Sequence, residues 1–349
     1  MDLDNLEQIS KADSEGALKV IGDAASQLAF DTAINQPAAG KHDISNIVLS
    51  GMGGSCLAGL IAANWLDRDH DLAVPFLVSR DYQLPTFVDK HTLAIIVSVS
   101  GNTEETLSSL KDAIQKKAQV VVITTGGKLL EAAQTNNLPY VQIKKISQPR
   151  YGIEMHLRAI ANILHEYGLV SEAPYEELHR AARPLDDFVA SLAANIPTDR
   201  NQAKQLALAC AGKTPLVYSS RQFSPLAYKW KTSFNENAKN TIWVNEFPEF
   251  NHNEFIGWTS HPIEKPFEVI NLRSNLDTAR INQRFDLSER LLSGHRPAAR
   301  NIILSGSNYI EQVLLGAALG DFASIYLGLL NGVDPTPVGL VEKFKKELG

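Results

Sequence analysis

Cysteine is almost missing from this chain: Cys56 and Cys210 are the two thiols in 349 residues. Isolated thiols exclude a disulfide framework and a metal site of closely spaced cysteines, and they fit a reducing compartment. A basic surplus is missing as well. Lys and Arg total 33 against 39 Asp and Glu, a formal charge of −6, and no block of like charge stands out, so nucleic acid is not expected as a partner. No apolar run is expected to reach membrane-spanning length. The acidic start Met1-Asp2-Leu3-Asp4 lacks the apolar segment of a signal peptide. These shortages point to a cytoplasmic protein with no membrane partner. Hydrophobic residues make up 44% of the chain, and the length is ample for two cores.

Strands and helices alternate along the sequence. A leading amphipathic helix is expected over Gly16 to Ile34. Apolar strands follow at Asn46–Ser50, Pro75–Ser79, Leu93–Ser98, Val120–Thr124 and Tyr140–Ile143, with helices between them. Near-continuous apolar strands separated by helices indicate a parallel sheet covered on both faces. Residues Ser171 to Arg200 are charged, alanine-rich and helical. The pattern then resumes, with strands at Pro215–Ser219, Ile242–Val244, Phe267–Asn271 and Asn301–Leu304 and helices at Pro225–Asn237, Leu276–Leu292 and Tyr309–Leu330. Two α/β domains are expected, 1–168 and 201–349, joined by a helical linker at 169–200. Both start with an apolar strand, a small-residue turn and a helix, although no residue-level repeat is visible.

The run Ser98-Val99-Ser100-Gly101-Asn102-Thr103 is the most telling stretch. An apolar strand enters it and a helical pattern, Thr103 to Lys117, leaves it. Helix N-termini offer unpaired N–H groups and partial positive charge, and so bind anions. Hydroxyls add neutral donors, and glycine permits a positive φ. With no lysine present, this cradle suits a sugar phosphate better than a nucleoside triphosphate with magnesium. Gly51-Met52-Gly53-Gly54-Ser55 invites a dinucleotide reading, but Cys56 stands where the third glycine is required. A tight structural turn or a second wall of the same ligand site remains open for this loop.

A dense polar segment runs from Lys229 to Glu254, interleaved with Trp230, Phe234, Trp243, Phe247 and Phe250. Chemistry on a sugar phosphate needs a base for a C–H proton and a group that opens the ring, and carboxylate and imidazole are the side chains tuned to such work. Pattern alone does not separate Glu236 from Glu246, Glu249 or Glu254, the last three of which are read as lying in a loop held by Pro248.

Ser98-x-Ser100-Gly101-Asn102-Thr103-x-Glu105-Thr106 resembles the phosphosugar-binding signature of sugar isomerase (SIS) domains. Joined to Gly51–Ser55, Pro149-Arg150, Asn235-Glu236-Asn237-Ala238-Lys239, Glu246-Phe247-Pro248-Glu249-x-Asn251-His252-Asn253 and Gly332-Val333-Asp334-Pro335-Thr336-Pro337-Val338, it resembles the bifunctional phosphoglucose/phosphomannose isomerases over nearly the whole chain. The resemblance implies two SIS domains, each a parallel sheet flanked by helices, in a homodimer that acts on hexose 6-phosphates. The site would lie between the domains. It implies Glu236 as the base that moves a proton between C2 and C1 through a cis-enediol. His252, entering from the other subunit, would assist ring opening, and Arg150 would stabilise the enediolate. Ser98, Ser100 and Thr103 would hold the phosphate, Gly54 and Ser55 would add contacts to the sugar, and Thr336 and Lys343 would reach the substrate from the C-terminal segment. No cofactor and no metal are implied. Val99 and Cys56 depart from the family pattern and bear on pocket shape more than on reaction type.

Two readings compete. A non-catalytic sugar-phosphate sensor would carry a DNA-binding or partner domain, and this acidic chain is filled by two α/β units. Amidotransferase-linked synthesis of glucosamine 6-phosphate would need a cysteine near position 2, which is Asp2. An isomerase of another hexose phosphate stays open.

Overall fold

The computed structural model describes residues 1–37, 43–260 and 266–348. These separate into two compact units, Ala24–Arg183, and Met1–Asp23 with Pro184–Gly349. The division falls inside the 169–200 segment expected to be a linker, and the leading residues go with the carboxyl-terminal half.

The unit Ala24–Arg183 is built on strands β1 (Asn46–Ser50), β2 (Phe76–Ser79), β3 (Thr92–Ser98), β4 (Gln119–Thr124) and β5 (Tyr140–Gln142). All pair in parallel, in the order β2-β1-β3-β4-β5. Every residue of β3 is buried, as expected for a central strand covered on both faces. Helix Gly54–Asp69 returns the chain from β1 to β2, whereas Glu104–Gln115 and Gly127–Thr135 connect β3, β4 and β5. Right-handed crossovers in opposite directions put these two sets of helices on opposite faces. Val48, Ala94, Ile96, Leu110, Val122 and Leu129 form the core of one face.

The other unit carries β6 (Thr214–Ser220), β7 (Trp243–Phe247), β8 (Phe267–Arg273) and β9 (Arg300–Ile303). Again all pair in parallel, in the order β7-β6-β8-β9. That is the order of the first four strands in the other unit, so the architecture is duplicated without a duplicated sequence. Helix Ser224–Ala238 packs against helix Tyr309–Leu330, while Phe285 of helix Ala279–Leu291 joins Tyr218, Phe247, Phe250 and Trp258 in a separate aromatic core.

Several expectations are corrected. The leading helix over Gly16 to Ile34 is broken into Ala17–Gly22 and Ala24–Gln27, with no helix from Leu28 to Ile34. The segment Ser171 to Arg200 is two helices, Ala173–Arg180 and Ala182–Leu192, and a short turn at Thr198–Arg200. Glu246 lies on β7 rather than in a loop, because pairing of Ser219 with Glu246 extends the strand to Phe247. Helix Tyr309–Leu330 is long and apolar enough to cross a membrane, contrary to expectation, yet 94% of its apolar window is buried within the fold. Helices Leu6–Ala12, Ile153–Glu166, Gln202–Cys210 and Gly339–Leu348 were not anticipated.

Candidate active site

In an open parallel sheet, ligands bind beyond the carboxyl ends of the strands, where the strand order reverses. In the unit Ala24–Arg183 that point lies between β1 and β3. The glycine loop leaves β1 there and Ser98–Thr103 leaves β3. The hydroxyl oxygens of Ser98 and Thr103 stand 2.9 Å apart. Gly101 N–H donates to Ser98 Oγ at 3.1 Å, and Asn102 N–H donates to Ser100 Oγ at 3.2 Å. Gly101 has φ +67°, and a Cβ there would meet Gly126 O at 1.8 Å, so glycine is required both by the backbone and by the neighbouring turn. Asn102, given no role from the sequence, accepts from Lys128 N–H at 3.2 Å and ties the cradle to the next helix.

The glycine loop reaches the same place. Val99 N–H donates to Ser55 Oγ at 3.4 Å. A Cβ on Gly54 would stand 2.7 Å from Pro149 C and from Arg150 N. That close approach seats the turn Pro149–Tyr151 on the start of helix Gly54–Asp69. Arg150 is buried, donates to Gln148 Oε1 at 3.1 Å and lies over the ring of Tyr151. At the end of the same turn, His156 Nδ1 donates to Gly152 O at 2.5 Å. Burial pushes this imidazole below its usual pKa, so it serves as a neutral strut. Gly54, Ser55, Ser98, Ser100, Thr103 and Arg150 are therefore brought together at one sheet edge.

In the other unit, Glu236 ends helix Ser224–Ala238. It lines a cleft of about 550 Å³ with Lys231, Trp243, Pro337 and Val338. Lys239 caps the helix in the left-handed conformation, φ +51°. Its ammonium donates to Glu236 O at 2.8 Å, Asp334 O at 2.8 Å and Pro335 O at 3.0 Å. The segment around buried Thr336 is thus clamped beside Glu236, a role for Lys239 that only its place in the Asn235–Lys239 motif hinted at. The other carboxylates of this polar segment have partners of their own. Glu246 accepts from Arg221 at 2.6 Å, Glu249 from Asn253 at 2.5 Å, and Glu254 from Tyr218 and from Asn245 at 2.7 Å. His252 is exposed at the end of the turn Glu249–His252. Lys343 is exposed on the terminal helix, 3.7 Å from Glu347. Among the described residues no three His, Cys, Asp or Glu side chains are grouped to hold a metal ion.

Residues 42–139 match the SIS domain family, and residues 199–348 match the bacterial phospho-glucose isomerase C-terminal SIS domain. The chain is 34% identical over 310 residues to a bifunctional phosphoglucose/phosphomannose isomerase of Caldicellulosiruptor bescii, covering 88% of this chain and 90% of that protein. A protein of the same description from Aquifex aeolicus is 32% identical over 302 residues, covering 86% and 90%. A solved structure of a glucose-6-phosphate isomerase like protein from Thermus thermophilus shares the fold, with a TM-score of 0.66 at 20% identity and 99% of each chain covered. With its duplicated parallel sheets, this chain belongs to the bifunctional phosphoglucose/phosphomannose isomerase family and is made of two SIS domains.

Proposed function

We propose that the chain interconverts glucose 6-phosphate and mannose 6-phosphate with fructose 6-phosphate through a cis-enediol. The observation that carries this reading is the turn at the β1/β3 switch point, where the Ser98 and Thr103 hydroxyls stand 2.9 Å apart beside the glycine loop on which the Pro149–Tyr151 turn is seated. Ser98, Ser100 and Thr103 bind the phosphate, and Gly54 and Ser55 contact the sugar. Arg150 balances charge as it grows on the enediolate, the role a fixed cation fills best. Glu236 abstracts the proton at C2 and returns it to C1. Its place in the cleft with Lys231, Trp243 and Pro337 supports that choice. His252 assists ring opening, and Thr336 and Lys343 approach the substrate from the C-terminal segment.

The protein acts as a cytoplasmic homodimer in which His252 comes from the partner subunit. Its exposed position supports this, as does the face of the sheet on which it lies.

The test is a coupled assay with each aldose phosphate, alongside solvent-hydrogen exchange at C2. Both aldoses are expected to be turned over. Glu236→Gln is expected to keep inorganic phosphate binding and lose exchange by ~10²–10⁴-fold. Silence on mannose 6-phosphate rejects the dual specificity, and parental exchange in Glu236→Gln rejects the base.

A further inference from the structure

A polar stripe runs through the interior of the carboxyl-terminal unit, along three turns of one helix. Lys229, Ser233 and Asn237 recur every fourth residue on helix Ser224–Ala238, which stacks them on one face. All three are buried, and so are Asp321 and Ser324 opposite them on helix Tyr309–Leu330. Lys229 Nζ donates to Asp321 Oδ1 and, at 2.9 Å, to Ser233 Oγ. Ser233 Oγ donates to the same Asp321 oxygen at 2.6 Å. Asn237 Nδ2 donates to Ser324 Oγ at 2.9 Å, and Ser324 Oγ donates back to Asp321 O at 2.9 Å. Each polar group answers another, and the chain of contacts ends one residue from Glu236.

Stability is a poor reason for this arrangement. Taking an ammonium and a carboxylate out of water is costly, and a well-packed apolar pair often stabilises as much or more. What buried polar pairs do better is specify one register, because a shifted helix leaves each partner unsatisfied. Register matters at this helix. Neighbouring residues stand about 100° apart around the axis. With Asn237 held on Ser324, Glu236 is turned into the cleft shared with Lys231, Trp243 and Pro337. Rotation by one residue would press Glu236 against Ser324 and put Asn235 in its place. Trp230 offers a rival anchor, donating to Gly316 O at 2.8 Å over a tight contact with Gly320. It fixes the helix more than a turn before Glu236, whereas the stripe reaches Asn237.

We propose that Lys229, Ser233 and Asp321, continued by Asn237 and Ser324, are positioning residues that set the rotation of this helix and so aim the Glu236 carboxylate. The proposal rests on the reading of Glu236 as the base. Its consequence is kinetic: removing the stripe while preserving packing misdirects the carboxylate, and an error of about 1 Å in such a group costs up to ~10²-fold in rate.

The experiment replaces the ion pair by an apolar one, Lys229→Met with Asp321→Leu, in the full-length chain and again in a Glu236→Gln background, with hexose 6-phosphates as substrates. In the parent background the melting temperature is expected to hold, KM to stay within ~2-fold and kcat to fall ~10–100-fold. In the Glu236→Gln background the same replacement is expected to change residual kcat by less than ~2-fold, since coupled residues are not additive. Unchanged kcat in the parent background, or equal losses in both, overturns the proposal and leaves Trp230 as the sufficient anchor. If the apolar pair does not fold, Ser233→Ala and Asn237→Leu with Ser324→Ala are read by the same criteria. Parental kcat in Glu236→Gln alone is a separate result, which removes the base assignment itself.

Discussion

Glu236 and His252 belong to opposite faces of the carboxyl-terminal sheet. The helix that ends near Glu236 carries the chain from β6 outward to the edge strand β7. The turn bearing His252 begins the return from β7 across β6 to β8. Two right-handed crossovers in opposite directions must cover opposite faces. Phe250, two residues before His252, is accordingly packed with Tyr218, Phe247 and Phe285, far from the contact of helix Ser224–Ala238 with helix Tyr309–Leu330. The sheet therefore stands between this imidazole and the Glu236 cleft of the same chain.

That separation makes subunit mixing informative. Glu236→Gln and His252→Ala are each expected to be nearly inactive as homodimers. In a mixed dimer, the site built from the intact Glu236 of one chain and the intact His252 of the other is whole. Equal mixing gives half heterodimers with one good site in two, so about a quarter of the parental rate should return. If the mixture stays as inactive as its components, His252 acts within its own chain or not at all.

A smaller change probes Arg150 without touching it. Gly54→Ala places a methyl carbon 2.7 Å from the backbone of Pro149 and Arg150. Backbone cannot swing aside as a side-chain tip can, so the Pro149–Tyr151 turn must move. Gly54 is the first residue of its helix and has no positive φ, so alanine is compatible with the helix itself. The expected outcome is a folded protein with kcat lowered ~10–100-fold, read by steady-state kinetics beside a melting curve. A parental kcat would detach the Arg150 turn from the reaction.

The strand–turn–helix passage at Ser98–Thr103 was legible in the sequence because its signals are local. Strand, hydroxyls, glycine and helix follow one another within ten residues, and Gly101 meets its requirement inside that run. The partners of Glu246, Glu249 and Glu254 were not legible, because Arg221, Asn253, Tyr218 and Asn245 reach them only in the fold. Helix Ile153–Glu166 escaped notice for a related reason. Glu154, His156 and Arg158 are buried in it, so its polar residues do not mark a solvent face. The long helix Tyr309–Leu330 was found at its full length but not recognised as an all-round buried core element, since Asp321 answers Lys229 rather than water. Tertiary partners, not local propensity, decided each of these cases.

The two thiols give a pH-dependent signature. Burial pushes Cys56 up to about 11 and Cys210 up to about 12. Both thiols are therefore favoured in the folded protein, while the unfolded chain ionises them near the ordinary value of 9.0. Their contribution to stability is complete below that value and is lost as pH rises through it toward 11 and 12. Native protein at pH 8.5 is expected to resist iodoacetamide while urea-unfolded protein takes two labels. The drop in melting temperature between pH 8 and pH 10.5 should shrink in Cys56→Ala/Cys210→Ala. Rapid labelling of the native protein would show that the thiols are not held as described.

The hydroxyl pair at the cradle can be tested against its own chemistry. Ser98 is buried and Thr103 is its partner at 2.9 Å, so neither is an ordinary surface hydroxyl. A hydrogen bond to a charged group contributes ~1.5–3 kcal/mol, so Ser98→Ala and Thr103→Val should each raise KM about ten-fold or more. Inorganic phosphate, as a competitive inhibitor, should lose affinity in step, because the lost contact is to the anion and not to the sugar. The two losses should fall short of additive, since each change also strands the other's hydroxyl. Thr103→Ser keeps the oxygen and should restore most of the binding. A KM that rises while the phosphate inhibition constant stays fixed would mean that the turn shapes the sugar pocket and that the anion sits elsewhere.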